Sequence, residues 1–145
     1  MNNYYDKILI ELLEERGVNY TLIPDPSYYI KNINKKFPFI GGRIDFNKLS
    51  DNKIKISNPK DISFDAIKFI KNLITNESCS RNDDVVYIGD NLTENGYKCS
   101  LNDSLKIIPL LVKEIPQHHY FIFSNFKKII YISFENEIGF GRTLI

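Results

Sequence analysis

Apolar positions along the chain change their spacing several times, and each change marks a new element. Ile8, Leu9, Leu12 and Leu13 form one stripe at helical spacing, with Glu11, Glu14 and Glu15 outside it, which predicts a helix over 3–16. Gly17 is placed to stop it. Tyr20 to Ile23 is a short apolar piece cut off by Pro24-Asp-Pro26. Tyr28, Ile30 and Ile33 fit either a strand or a short helix. Phe37-Pro-Phe-Ile-Gly-Gly reads as loop or sheet edge, because Pro38 has no N–H to give a ladder. Arg43-Ile-Asp-Phe-Asn and Lys53-Ile-Lys-Ile-Ser alternate polar and apolar residues, as half-buried strands do, with Ile54 and Ile56 on one face.

Helical spacing returns over 64–75, where Ser63 is a plausible N-cap and Phe64, Ile67, Phe69, Ile70, Leu73 and Ile74 make a broad apolar side. Asn76 to Asp83 is polar and loop-like, Val85-Val-Tyr-Ile is a buried strand, and Tyr97 to Cys99 is a further short one. A third helix is predicted over 101–115, capped by Ser100 or Asn102. Pro109 either kinks it or moves its start to about 108. The last segment, 118–141, holds three aromatic and β-branched runs separated by polar breaks, a strand meander. Elements are interspersed without βαβ order and the final strands are consecutive. The expected fold is therefore α+β, about three helices packed on a mostly antiparallel sheet. With 145 residues and no linker or repeat, the chain is expected to form one domain, 1–145.

Charge narrows the function classes. The net charge of +1 lacks the basic excess of a dedicated nucleic-acid binder, and no apolar run is long enough for a membrane span. The opening Met1-Asn-Asn-Tyr-Tyr-Asp-Lys has no apolar export segment, and Cys79 and Cys99 are too few for a disulfide framework or a zinc site. A cytoplasmic protein with reduced thiols is expected. Over 77–103, however, six carboxylates face only Arg81 and Lys98. Such a segment, mixed with Tyr87, Asn91, Asn95 and Tyr97, suits a basic partner surface: complementary charge speeds encounter, and aromatics supply anchors. Asp83, Asp84, Asp90 and Glu94 are the candidate charge partners, Tyr87 and Tyr97 the candidate anchors.

Candidate chemistry is incomplete. Adjacent strand residues point to opposite faces, so His118 and His119 cannot chelate one ion together. Glu135 and Glu137 would share a face on a continuous strand, as a carboxylate pair, but Asn136 between them favours a hairpin turn. A small hydrolase or metal-dependent enzyme using His118 or His119 with Glu135 or Glu137 is the alternative reading. Gly41-Gly42 and Gly139-Phe-Gly-Arg142 do not link a strand to a helix as phosphate cradles do. Gly139 and Gly141 fit a close backbone approach or a bulge better. Lys35-Lys36 and Lys127-Lys128 are short, separated pairs expected on solvated faces.

Over 85–142 the residues Val86-Tyr-Ile-Gly-Asp-Asn-Leu-Thr, the helix end Ile115-Pro116, Gln117-His-His-Tyr-Phe-Ile-Phe and Ile132-Ser-Phe-Glu-Asn-Glu-Ile-Gly-Phe-Gly-Arg142 resemble bacterial contact-dependent growth inhibition immunity proteins. The resemblance implies a small cytosolic protein that catalyses nothing and needs no cofactor or metal. It would bind and neutralise the C-terminal toxin domain of a large adhesin, commonly a nuclease. It transfers no contact residues. Nuclease toxins hold phosphates and tend to be basic, which the acidic segment would match.

Overall fold

The structure is a computed structural model that describes residues 2–143; of the 1–145 expectation, residues 1, 144 and 145 lie outside that description. Its centre is a seven-stranded sheet in the order β1-β6-β5-β7-β8-β9-β4, with every neighbouring pair antiparallel. The strands are β1 (Thr21–Ile23), β4 (Ser50–Ile56), β5 (Asp84–Gly89), β6 (Gly96–Ser100), β7 (His119–Phe123), β8 (Lys128–Ile132) and β9 (Glu137–Arg142). The three C-terminal strands form the expected meander. A separate two-residue hairpin pairs β2 (Phe39–Ile40) with β3 (Arg43–Ile44), and a 3-10 turn at Phe46–Lys48 leads into β4.

Among the described residues there are five α-helices where about three were expected: α1 (Tyr4–Glu15), α2 (Ser27–Lys36), α3 (Ile62–Thr75), α4 (Leu101–Ser104) and α5 (Ile108–Glu114). Two causes account for the difference. The open segment around Tyr28 and Ile33 is helical, and the expected helix over 101–115 is cut in two, with Pro109 in the first turn of the second piece. There the missing N–H of proline costs nothing. Ser100 caps α4 by accepting from the Asp103 N–H. Ser63, by contrast, caps nothing. Asn58 accepts from the N–H groups of Lys60 and Asp61, and its turn starts α3 at Ile62. The buried stripe of α3 is Ile62, Ala66, Ile70 and Leu73, and Phe64 stays 68% exposed. Gly17 adopts φ +64° and ends α1 as expected.

Both faces of the sheet are covered, by different material. On one face, Val85, Tyr87, Tyr97, Phe121, Phe123, Ile130, Ile132, Ile138 and Phe140 pack against α1, α3, α4 and α5. On the other, Val86, Ile88, Tyr120, Ile122, Ile129 and Tyr131 pack with Ile33 of α2, Phe37, Ile44, Phe46 and Leu49, and the partly buried Ile23, Tyr29 and Phe126 lie against them. This second cover lies close to the backbone. A Cβ on Gly139 would stand 2.4 Å from the Phe46 ring, and one on Gly141 would stand 2.5 Å from Leu49. The glycines of β9 therefore allow the close approach that their spacing suggested.

Candidate functional site

Strand register sorts the candidate residues by the end of the sheet at which they lie. Asp83 and Asp84 precede the body of β5, where Asp84 pairs with Ser100; Asp90 follows its far end, where Gly89 pairs with His119. Seven residues of extended chain separate Asp83 from Asp90 by about 20 Å. The acidic run of the sequence is thus two groups at opposite ends of the sheet. Asp83 is engaged locally, accepting from the Ser80 N–H at 2.8 Å with Lys128 Nζ at 3.6 Å. Asp84 is exposed, as are Asp90 and Glu94 at the other end.

Tyr87 and Tyr97 are both 0% exposed, so neither ring presents area to a partner. β5 and β6 are inner strands, and both rings lie under the helices. Their hydroxyls belong to an internal polar network that the sequence reading missed. Gln117 Nε2 donates to the Tyr87 hydroxyl and to Thr93 Oγ1, both at 2.9 Å. Tyr87 in turn bonds His119 Nδ1 at 2.7 Å. The Gln117 carbonyl accepts from the backbone of Asn91, Leu92 and Thr93. Asp6, fully buried on α1, accepts from the N–H groups of Glu94 and Asn95 and from the Tyr97 hydroxyl. Together these side chains clamp the β5–β6 loop. Gly89 makes room for the clamp, since a Cβ there would fall 1.9 Å from Gln117 Nε2. Burial raises the pKa of both tyrosines well above the usual phenol range, so they act as neutral hydrogen-bonding groups.

The two histidines separate as strand geometry requires. His119 lies on the helix side, 2% exposed; burial first and His118 second push its pKa down to about 3. His118 lies on the other side, where its Nδ1 bonds the Tyr131 hydroxyl and accepts the Phe134 N–H, each at 3.0 Å. The segment between β8 and β9 is a turn with Asn136 at φ +67°, and Glu137 heads β9 with Arg43 3.6 Å away. A 240 Å³ concavity reaches His119 between Ile62, Val112, Ile115 and Phe134, and neither Glu135 nor Glu137 lines it. Among the described residues no three His, Cys, Asp or Glu side chains gather as metal ligands. Both cysteines are buried, and desolvation raises Cys79 to about 11 and Cys99 to about 12, so they are neutral thiols.

What does come together is a rim at the far end of the sheet. Register places Gly89, His119, Ile132, Ile138 and Ile56 at the same end of β5, β7, β8, β9 and β4. Four strand spacings make this about 19 Å wide. Exposed carboxylates of Asp90, Glu94 and Glu135 lie along it. So do exposed apolar side chains, with Phe134 at 60% and Ile56 at 76%. Ser57 joins the rim to α3: its N–H donates to Asn136 O, and its hydroxyl donates to Asp65 at 2.6 Å, beside the exposed Phe64. Among the described residues β4 is the outermost strand, and one of its backbone edges has no partner strand over its seven residues. An apolar, carboxylate-bearing rim beside an open strand edge is the composition of a docking surface. Comparison with protein-family models, with curated proteins and with solved structures finds no match for this chain. Among the described residues no helix is long and apolar enough to cross a membrane.

Proposed function

We propose that this chain acts by stoichiometric binding to another protein, as an immunity protein that neutralises the toxin domain of a large adhesin, most simply a basic nuclease domain. The observation that carries the reading is the rim. Phe134, Ile56 and Phe64 stand in water at the same end of the molecule as the exposed carboxylates of Asp90, Glu94 and Glu135. Large exposed apolar side chains supply buried area on docking, and the acidic groups speed encounter with a cationic partner. The resemblance over 85–142 points the same way. The hydrolase alternative has less support, because His118 and His119 face opposite sides of the sheet and Glu135 lies in a turn.

The test is titration of the purified chain with the toxin domain encoded beside its gene. A one-to-one complex is expected, with association slowed about tenfold by Glu94→Lys with Glu135→Lys at low salt. Affinity should fall more than tenfold with Phe134→Ala combined with Ile56→Lys. Reversing Asp84, at the opposite end, should leave both quantities unchanged. Absence of any complex would sink the immunity reading, whereas full affinity in all the rim variants would sink only the rim.

A further inference from the structure

The opposite end of the sheet carries a second concavity, of about 640 Å³, on the face covered by α2. Its walls come from four places in the chain: Lys35 and Lys36 at the end of α2, Phe37 and Pro38 after it, Lys48 and Leu49 before β4, and Asn125 to Lys127 in the β7–β8 turn. Four ammonium groups surround it, and among the described residues no carboxylate lines it. None of the four lysines makes an ion pair among the described residues, whereas Lys53, Lys106 and Lys128 each do. The floor is apolar, built from Phe37, Leu49 and Phe126.

Phe126 is a separate signal. It holds φ +58°, a conformation that costs a bulky residue and that glycine adopts freely. The surroundings impose it. Phe126 N–H donates to Phe123 O at 2.8 Å, and Lys127 N–H donates to Asn125 Oδ1 at 2.8 Å. Tyr28 and Tyr29 pack on the ring with centroids 5.6 Å away, and Lys36 Nζ sits 5.1 Å from its centre. A strained aromatic in a hairpin turn, aimed at a basic concavity, points to use.

We propose that this groove receives an acidic segment of a partner protein, with carboxylates meeting the lysines and one apolar side chain seated on Phe37, Leu49 and Phe126. Charge complementarity selects the occupant. Four lysines around a floor of Phe37, Leu49 and Phe126 fit a chain that carries carboxylates and an apolar side chain together; inorganic phosphate has nothing to set on that floor. Phe126 has neighbours on both tyrosine and lysine sides where a base would stack, and the apolar floor between the lysines offers a seat for a side chain. This inference does not depend on the toxin reading: the groove lies at the Ser50 end of β4, the rim at the Ile56 end.

The experiment uses a fluorescent decapeptide rich in Asp and Glu with a central Leu-Phe pair, titrated with the full chain. Saturable binding that weakens with salt is expected. Lys36→Glu with Lys127→Glu should weaken it at least tenfold. Phe126→Gly should also weaken it several-fold while the chain stays folded, because glycine fits the backbone of this turn. A peptide with lysines replacing its acidic residues should not bind. The proposal is overturned if the acidic peptide fails to bind, if the charge reversals leave its affinity unchanged, or if a single-stranded DNA decamer or inorganic phosphate binds the groove as tightly as the peptide.

Discussion

The two faces of the sheet solve the same burial problem with different means. The helix-covered face is thick: four helices press on it, and Asp6, Gln117, Tyr87, Tyr97 and His119 satisfy one another inside it. The opposite face is thin. One helix, a two-residue hairpin and a 3-10 turn lie on it, and β9 has to be glycine at two positions to admit them. Thickness supports polar side chains under the surface, because a deep site can surround each group with partners. A thin cover cannot reach the whole face. It leaves the groove beside Phe126, and leaves Ile54 and Ile56 exposed at the edge on this same side, opposite Gly139 and Glu137. The buried polar network is confined to the thick side, whereas exposed apolar side chains occur on both, Phe64 on α3 among them.

The sharpest way to break this contrast is to strip the thick face of its buried acceptor. Asp6→Ala leaves the N–H groups of Glu94 and Asn95 and the Tyr97 hydroxyl without their partner. At 1–3 kcal/mol for a stranded buried donor, less where water reaches the loop, a loss of about 4 kcal/mol is expected. Urea unfolding measures it; a loss below about 1 kcal/mol would mean that the clamp on the β5–β6 loop carries no weight.

Acid should act on the same face. His119 has its pKa lowered from 6.5 to about 3 by burial and by His118. The folded value lies below the unfolded one, so the unfolded chain binds this proton first as pH falls. The stability associated with neutral His119 is complete above about pH 6.5 and is lost progressively toward pH 3. At pH 4 the loss from this one group is about 3 kcal/mol. His119→Asn keeps an oxygen to accept from Tyr87 and does not titrate. Its unfolding midpoint should therefore change less between pH 7 and pH 4 than that of the parent chain. Equal changes in both would place the acid sensitivity elsewhere.

On the thin face the expected damage comes from adding atoms. Gly139→Ala puts a methyl group 2.4 Å from the Phe46 ring, which has to move out of its place against Tyr131. About 2 kcal/mol of destabilisation is expected, read from the same denaturant curves, with Phe46→Leu in the double variant restoring part of it. An additive double variant would show that Phe46 is not what the glycine accommodates.

Legibility in the sequence follows the same division. α1 and the meander were readable because each has a single uninterrupted spacing and a clean stop, Gly17 in one case and the polar breaks in the other. Pro109 marked a break but left a kink and a new start at about 108 both open; a new helix does start at Ile108, because proline fits the first turn. α2 was ambiguous because only Ile33 is buried, and one buried position in ten sets no period. Of the six candidate residues, the rim holds two. Asp90 and Glu94 lie on the rim, but Asp83 and Asp84 are a strand's length away, since nearness in sequence becomes nearness in space only across a turn. The burial of Tyr87 had a signal in the unbroken run Val85 to Ile88, which marks a strand covered on both faces. Asp6 and Gln117 had none: a buried carboxyl in a first helical turn looks the same in sequence as a solvated one. Phe134 escaped notice and Phe64 was placed on the apolar side of its helix, because an exposed aromatic reads as core until the rotation of its element is known.

The smallest expected effect tests the edge itself. Ile56→Lys replaces a residue that is 76% exposed, on the outermost strand, next to a lysine already present at 55. It removes little buried area, keeps a β-compatible backbone position, and places its charge in water. The change in unfolding free energy should stay within about 0.5 kcal/mol. The same replacement at Ile130, 0% exposed at the centre of the meander, should abolish folding, because it buries a charge with no partner. The pair separates two explanations for an exposed isoleucine on an open edge. If Ile56 were there to hold β4 on β9, Lys would loosen that strand and lower stability measurably, and the edge would belong to the fold. A silent substitution would leave contact with something outside the chain as the use for that side chain. Ile54, 44% exposed and bracketed by Lys53 and Lys55, should respond more strongly than Ile56 and less than Ile130, so that the three positions order by burial and not by residue type.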